Sequence, residues 1–465
     1  MAGKFQLEEI HEDLQGFLDA LREANDLVEI EEEVSPRFEI GAILQKLGEA
    51  GGPAALFKRI AGYPGKRVVG NLLGHPRRLA KALGVQEPDL VATFLERKDR
   101  RIPAVQGEEA AVKEMHVVGH QIDLFKILPH LIYHEKDTSS YLTCAVTFAR
   151  DPETGQQSMG LHRIQIRTQN EMAICLATPP LANFLHKAWS MDKSLEVAIA
   201  IGPTPVVLIA AVTWCPEGED KIEIAGGLQN RAVELVDCEK VSLRVPANAQ
   251  YIIEGVIHPG NMAKEGIFGE SSGVYVEGVE SPIINVTHIS HRREPLYQAL
   301  QTWSSEDDAL LNLCFGSDVL KNVQMDYPFV TDLHMVSGTA GGHLVISVSD
   351  CSGPMLRSAM VAILIRNPFV KKVTVVNDDI DIRNPREVEW AVATRFQADR
   401  DFLKISGVQG SVIDPSSFSD GSTCKIGINA TFVKEKGKSF AKVGVPEEIE
   451  KRALGVVDKI VGEDY

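Results

Sequence analysis

Leu161-His162-Arg163-Ile164-Gln165-Ile166-Arg167 reads as a β-strand that carries two guanidinium groups between apolar residues. Alternation along a strand puts Arg163, Gln165 and Arg167 on one face together. Around it, short strand-like runs separated by turns fill the middle of the chain at 143–148, 195–201, 206–212, 233–236, 251–254 and 283–289. Short strands at this density predict an antiparallel barrel or sandwich.

On either side the pattern changes. Leu14, Phe17, Leu18 and Leu21 fall at helical spacing, and Val28, Ile30 and Val34 mark a strand with acidic residues between them, so residues 1–110 read as an N-terminal α/β module. After about residue 305, apolar strands such as 373–376 alternate with helical stretches. Asn384-Pro385 is a good helix start, because asparagine caps free N–H groups and proline lacks the N–H that would go unbonded there. Ile449, Ala453, Val456 and Ile460 give a terminal helix one apolar face, suited to docking on its own domain or on a second subunit.

A chain of 465 residues predicts several domains. The net charge of −16, from 48 Lys+Arg and 64 Asp+Glu, argues against a nucleic-acid partner, which needs a cationic surface. A small anionic substrate is compatible with it if a few cations gather locally. No apolar run approaches the ~20 residues of a membrane span. Seven scattered cysteines without a C-x-x-C pair, and a start of Met-Ala-Gly-Lys followed by charged residues, predict a reduced, cytoplasmic protein with no membrane partner.

Several motifs could carry chemistry. Gly269-Glu270-Ser271-Ser272-Gly273 matches the G-x-S-x-G hydrolase elbow, but that motif needs a strand before the serine and a helix after it. Here no strand-like run immediately precedes Gly269, and Val274-Tyr275-Val276 looks like a strand. Gly338-Thr339-Ala340-Gly341-Gly342-His343 could cradle a phosphate, yet it lacks either nucleotide fingerprint, and a glycine-rich turn between strands is the plainer reading. Asp378, Asp379 and Asp381 could hold Mg²⁺ or simply favour the dipole of the helix after them.

Glu265-Gly266-Ile267-Phe268-Gly269-Glu270 is more telling. Its two carboxylates lie on opposite sides of a strand and can converge only if the chain bends, which Gly266 and Gly269 permit. Arg163 is a candidate cation to sit between them, since a guanidinium holds carboxylates in a two-pronged geometry. Solvated glutamates and an exposed strand arginine are the alternatives that residue type alone favours.

Together with Met159-Gly160-Leu161-His162-Arg163, Val245-Pro246-Ala247-Asn248-Ala249, Ile253-Glu254-Gly255, Asp379-Ile380-Asp381 and Trp390-Ala391-Val392-Ala393-Thr394-Arg395, this segment resembles the UbiD family of reversible decarboxylases, which use prenylated FMN. The likeness runs from about Leu27 to Cys424. It implies a multidomain α+β or α/β chain: the N-terminal α/β module at 1–110, a central split β-barrel of the flavin-reductase kind binding prenylated FMN at 111–305, and a C-terminal α/β oligomerisation domain at 306–465. It further implies a homodimer or a dimer-based hexamer, a flavin prenyltransferase as cofactor supplier, and a small aromatic, heteroaromatic or α,β-unsaturated acid and CO₂ as reactants.

The family's Glu-Arg-Glu set maps onto Arg163, Glu265 and Glu270, with the flavin as covalent electron sink and Glu270 protonating the carbon that loses CO₂. Cofactor contacts carry over by position to Ser158, Leu161, His162, Arg163, Pro180, Val212, Thr213, Trp214, Lys221 and Arg395, the last as a phosphate or a structural contact. The segment 298–307 falls where substrate binds, and the acidic Glu306 and Asp307 there disfavour a second substrate carboxylate. The family binds its cofactor phosphate through a divalent metal, usually Mn²⁺, but the matching positions here are Ser158, the Pro179-Pro180-Leu181-Ala182 stretch and Lys221. No metal ligand is therefore assigned. Glu223 and His186 are the displaced alternatives, and Lys221 could neutralise the phosphate itself. The altered metal positions leave an accessory subunit of a carboxylase complex as a second reading, and a conventional FMN oxidoreductase as a third.

Overall fold

Leu195-Glu196-Val197-Ala198-Ile199-Ala200-Ile201 is the strand around which the chain is organised, and all but one of its residues are buried. Val197, Ile199 and Ile201 point into one apolar cluster, shared with the helix Leu181–Ser190. Ala198 and Ala200 point into another, shared with the helices Pro205–Val212 and Lys221–Gln229. A strand covered on both faces reads as an apolar run with no polar alternation, and each large side chain so buried contributes about 1.5–3 kcal/mol.

The computed structural model describes residues 10–411, 413–432 and 443–461. Its central sheet has nine strands, all paired antiparallel. The order is Tyr141–Leu142, Ile164–Ile166, Glu171–Ile174, Glu280–His291, Tyr251–Lys264, Leu195–Ile201, Ala145–Arg150 and Gln157–Leu161, with Met115–Val118 also on Glu280–His291. The two end strands, Tyr141–Leu142 and Gln157–Leu161, are not hydrogen-bonded to each other, so the strand path is open.

The N-terminal sheet orders Leu27–Val34, Ala54–Ile60, Arg67–Gly70 and Leu296–Gln298, so a segment from far along the chain completes it. The C-terminal sheet orders Val330–Met335, His343–Val348, Lys372–Asn377, Ser422–Asn429 and Phe402–Gln409, with the helices Gly353–Arg366 and Pro385–Arg395 between strands. Asn384 caps the second helix by accepting the Arg386 N–H at 3.1 Å.

One element differs in kind from its sequence reading. Residues 206–212, read above as a strand, form the helix Pro205–Val212, seven of whose eight residues are buried. A helix buried all round has no amphipathic period, so hydrophobic pattern cannot separate it from a buried strand; Pro205 at its first turn was the available signal. The terminal helix Glu447–Val461 exists and leaves Ile449, Leu454, Val456 and Val457 about half exposed. Ala453 is exposed too, whereas the side chain of Ile460 lies outside the described residues. The cysteines are all unpaired, and among the described residues no helix is long and apolar enough to cross a membrane.

Candidate active site

Arg163 stands at the head of the strand Ile164–Ile166, fixed by its carbonyl accepting the Cys175 N–H at 3.1 Å. Arg163, Gln165 and Arg167 all face the segment 264–270. The Arg163 Nε donates to Glu265 Oε2 at 2.9 Å, and its Nη1 pairs with Glu270 Oε1. Arg167 Nη1 donates to the Lys264 carbonyl at 2.9 Å and to Gln165 Oε1 at 3.1 Å. The three candidate catalytic residues thus converge.

The bend that brings the two glutamates together is held from four directions. Phe268–Gly269 pairs with Tyr275–Val276 in a two-stranded ribbon, which places Glu270 at its turn; the Glu270 N–H donates to Val274 O at 2.9 Å. A strand does precede the serine of the G-x-S-x-G match, then, but a strand follows it, and the elbow geometry is absent. Asp137 accepts the Gly269 N–H at 2.9 Å and the His134 N–H at 3.0 Å, so the 134–138 segment cradles the ribbon. A Cβ at Gly266 would fall 1.9 Å from Thr138 Oγ1, so only glycine fits there. Thr302 Oγ1 donates to the Gly269 carbonyl at 2.6 Å, and Tyr141 OH to that of Gly266 at 3.1 Å.

The two carboxylates are held unequally. Glu265 is buried and accepts Ser281 Oγ at 2.5 Å as well as Arg163. Glu270 is half-buried, and among the described residues its second oxygen accepts only the Ser271 N–H at 3.3 Å. Burial opposes the charge on Arg163, but the Cys175 sulfur and the carboxylates of Glu270 and Glu265 more than offset it, so its pKa lies above the ordinary value. Its guanidinium also lies 5.3 Å from the centre of the Phe268 ring, an additional hold on its orientation.

Behind the Gln157–Leu161 strand lies a second group of candidates. Ser158 is fully buried with its hydroxyl 3.4 Å from Glu219 O. His162 is buried: its Nδ1 is 3.2 Å from Cys175 O, and its Nε2 has no hydrogen-bond partner among the described residues. Burial, then the Lys221 charge, pulls its pKa down to about 4, so the ring is neutral at pH 7. Lys221 is buried at the start of the helix Lys221–Gln229, and its Nζ donates to Ala211 O at 2.9 Å. Burial lowers its pKa, and it forms no ion pair among the described residues. Leu161 and Val212 are partly buried and Pro180 is buried, whereas Thr213 turns its hydroxyl to Ile209 O at 2.9 Å and Trp214 is exposed.

Other candidates sit elsewhere. Arg395 is buried in the C-terminal domain and grips Asp379 with both terminal nitrogens at 2.9 and 2.6 Å. Of the acidic run, Asp379 serves Arg395 and Asp381 accepts the Arg383 N–H. Gly338 and Gly341 lie in the turn between two strands of the C-terminal sheet. Glu306 is buried and accepts the Leu73 N–H at 2.7 Å. His186 is exposed, Glu223 lies in the first turn of its helix, and among the described residues no three His, Cys, Asp or Glu side chains come together as a metal site. Asp137 and Ser281 carry no signal in the sequence, because each acts on a partner 132 or 16 positions away, and Thr302 falls in the segment 298–307 without being singled out there.

Comparison with known proteins agrees along the chain. Models of the N-terminal, Rift-related and C-terminal domains of 3-octaprenyl-4-hydroxybenzoate carboxy-lyase match residues 18–98, 104–304 and 314–430. The anhydromevalonate phosphate decarboxylase of Methanosarcina mazei is 31% identical over 93% of this chain and 99% of its own. The UbiD-class enzyme HmfF of Pelotomaculum thermopropionicum, solved in complex with FMN, superposes with a TM-score of 0.90 at 34% identity, covering 96% of this chain and 99% of that one. Vanillic acid decarboxylase of Sedimentibacter hydroxybenzoicus superposes with a TM-score of 0.81 at 28% identity, covering 97% and 99%. With its mixed α/β multidomain architecture matching theirs, the chain belongs to the UbiD family of carboxy-lyases.

Proposed function

We propose that this carboxy-lyase is a prenylated-FMN-dependent, non-oxidative and reversible decarboxylase of an aromatic, heteroaromatic or α,β-unsaturated acid, with Arg163, Glu265 and Glu270 as its acid/base network. The observation that carries the proposal is one guanidinium bridging two carboxylates of unequal anchorage in a partly dry site. The resemblance to HmfF, solved also with prenylated FMN in an evolved dimeric form at 33% identity, supports the cofactor.

The residues present fit a flavin phosphate. An ammonium buried without a carboxylate, in a chain that carries 64 acids, and an unpartnered buried imidazole nitrogen are both suited to an anionic, hydrogen-bonding ligand. Ser158, Leu161, His162, Pro180, Val212 and Lys221 would hold the cofactor, which when bound supplies the electron sink that no side chain offers to a carbon losing CO₂. A divalent ion does not fit, because a hydroxyl, an apolar stretch and an ammonium stand where its ligands would be.

The protein's own residues do the rest. Among the described residues Arg163 Nη2 makes no hydrogen bond, which suits it to take the substrate carboxylate. Glu265, pinned by Ser281 and Arg163, keeps the guanidinium in place. Glu270, held by Arg163 on one oxygen and only by the long Ser271 N–H contact on the other, carries the proton to and from the reacting carbon. As CO₂ leaves, the electron pair of the broken carbon–carbon bond is taken up when Glu270 gives its proton to that carbon, and the negative charge the substrate carboxylate brought ends on Glu270, where Arg163 pairs with it.

We also propose the division into 1–110, 111–305 and 306–465, a cytoplasmic location, a flavin prenyltransferase as supplier, and a homodimer or dimer-based hexamer using the apolar face of Glu447–Val461. The functional test compares protein made with and without a co-expressed flavin prenyltransferase on a panel of acids from the three classes. CO₂ release only with the prenylated cofactor supports the proposal; turnover with plain FMN and a nicotinamide donor would refute it.

A further inference from the structure

Trp303, within the segment 298–307, is given no role of its own above, yet its backbone and its indole nitrogen are both under constraint. It has φ +55°, a region that tryptophan avoids, and such backbone strain persists only where the surroundings impose it. Here they do. Its N–H donates to Asp307 Oδ2 at 3.1 Å, and its indole Nε1 donates to the Gly338 carbonyl at 3.2 Å. Asp308 accepts the Gly338 N–H at 2.8 Å, so Gly338 is gripped by both its backbone groups. Gly338 belongs to the turn joining the first two strands of the C-terminal sheet.

The same segment holds the Glu270 turn. Gly273 lies so close to the indole that a Cβ there would fall 2.8 Å from Nε1, and the Gly273 N–H donates to Glu270 O at 2.9 Å. Thr302 holds Gly269, and the Ser271 side chain lies beside the Asp307 carboxyl. Residues 269 and 273 are therefore contacted from 302 and 303, while 303 and 308 fix the C-terminal turn.

We propose that Trp303 is a positioning residue for Glu270, coupling the docking of the Gly338 turn to the placement of the Glu270 carboxylate against Arg163. This rests on the reading of Glu270 as the proton carrier. Trp303→Phe keeps a ring against Gly273 and loses only the indole donor. Gly338→Ala strains the other side of the contact, since Gly338 has φ +74° and a Cβ there would lie 3.3 Å from the indole nitrogen.

The test measures kcat and KM of the holoenzyme on the acid of the panel that is turned over fastest. It is paired with backbone amide exchange of the 266–276 segment and with Glu270→Gln in parallel. The expected result is a 10- to 100-fold fall in kcat for each single variant with KM changed less than about threefold. Amide exchange should be faster in 266–276 but not in 195–201, and the double variant Trp303→Phe/Gly338→Ala should be no worse than the poorer of its two singles. Trp303→Phe and Trp303→Ala at wild-type kcat, while Glu270→Gln is inactive, would overturn this inference alone. Fully additive losses, or a rise in KM alone, would also overturn it. Full activity in Glu270→Gln would overturn the underlying reading and this inference with it.

Discussion

Arg163 and Glu265 meet at 2.9 Å across 102 positions of sequence, and Arg163 reaches Glu270 with a different nitrogen of the same planar group. A lysine could satisfy one carboxylate but not both in this geometry. Arg163→Lys is expected to lower kcat/KM on the order of 10²-fold or more while the protein stays folded; steady-state kinetics with a melting curve checks both.

Cofactor binding is predicted to need Lys221 and no metal. Lys221→Met should weaken FMN binding by about 10- to 100-fold, roughly 1.4–2.7 kcal/mol, and leave riboflavin, which lacks the phosphate, unaffected. Quenching of flavin fluorescence on titration gives both constants. Mn²⁺ or a chelator should change neither; tighter FMN binding with Mn²⁺ would restore a metal to the site.

Gly266→Ala would drive a methyl group into Thr138 Oγ1. Overpacking typically costs ~1–3 kcal/mol, and here the strain falls on the segment that joins the two glutamates. A lower thermal midpoint together with a loss of activity larger than Thr138→Ala alone produces is expected. The double variant Gly266→Ala/Thr138→Ala should recover part of both.

Glu306 gives the stability of the fold a pH dependence. Burial raises its pKa from 4.5 to about 7, against the hydrogen bond from Leu73. The folded state then holds the proton more tightly than the unfolded chain, so this contribution is fully present below pH 4.5 and is lost as pH rises through about 7. At ~1.4 kcal/mol per unit, wild type should lose about 3 kcal/mol relative to Glu306→Gln between pH 4.5 and 7.5, read from urea unfolding at each pH.

Local features were the legible ones. The cap at Asn384, the apolar strand 195–201 and the helix bearing Leu14, Phe17, Leu18 and Leu21 depend on neighbours in sequence and stand where the pattern put them. The alternation that set Arg163, Gln165 and Arg167 on one face, and the glycines that let Glu265 and Glu270 converge, named the site but not its closure. What closes it is long-range. Asp137 on Gly269 and Ser281 on Glu265 are tertiary contacts without a local signature, as is the pairing of Leu296–Gln298 with Arg67–Gly70. Residues 206–212 misled because burial on all sides erases the period that distinguishes helix from strand.

The central claim is that Glu270, held by Arg163, exchanges a proton with the carbon that loses CO₂. Incubating the decarboxylated product with the prenylated-FMN holoenzyme in D₂O, and following deuterium at that carbon by NMR, tests it most directly. Wild type should incorporate deuterium at the position of the lost carboxylate, and Glu270→Gln should fall by 10²-fold or more with the cofactor still bound. Exchange at the wild-type rate in Glu270→Gln would contradict the account.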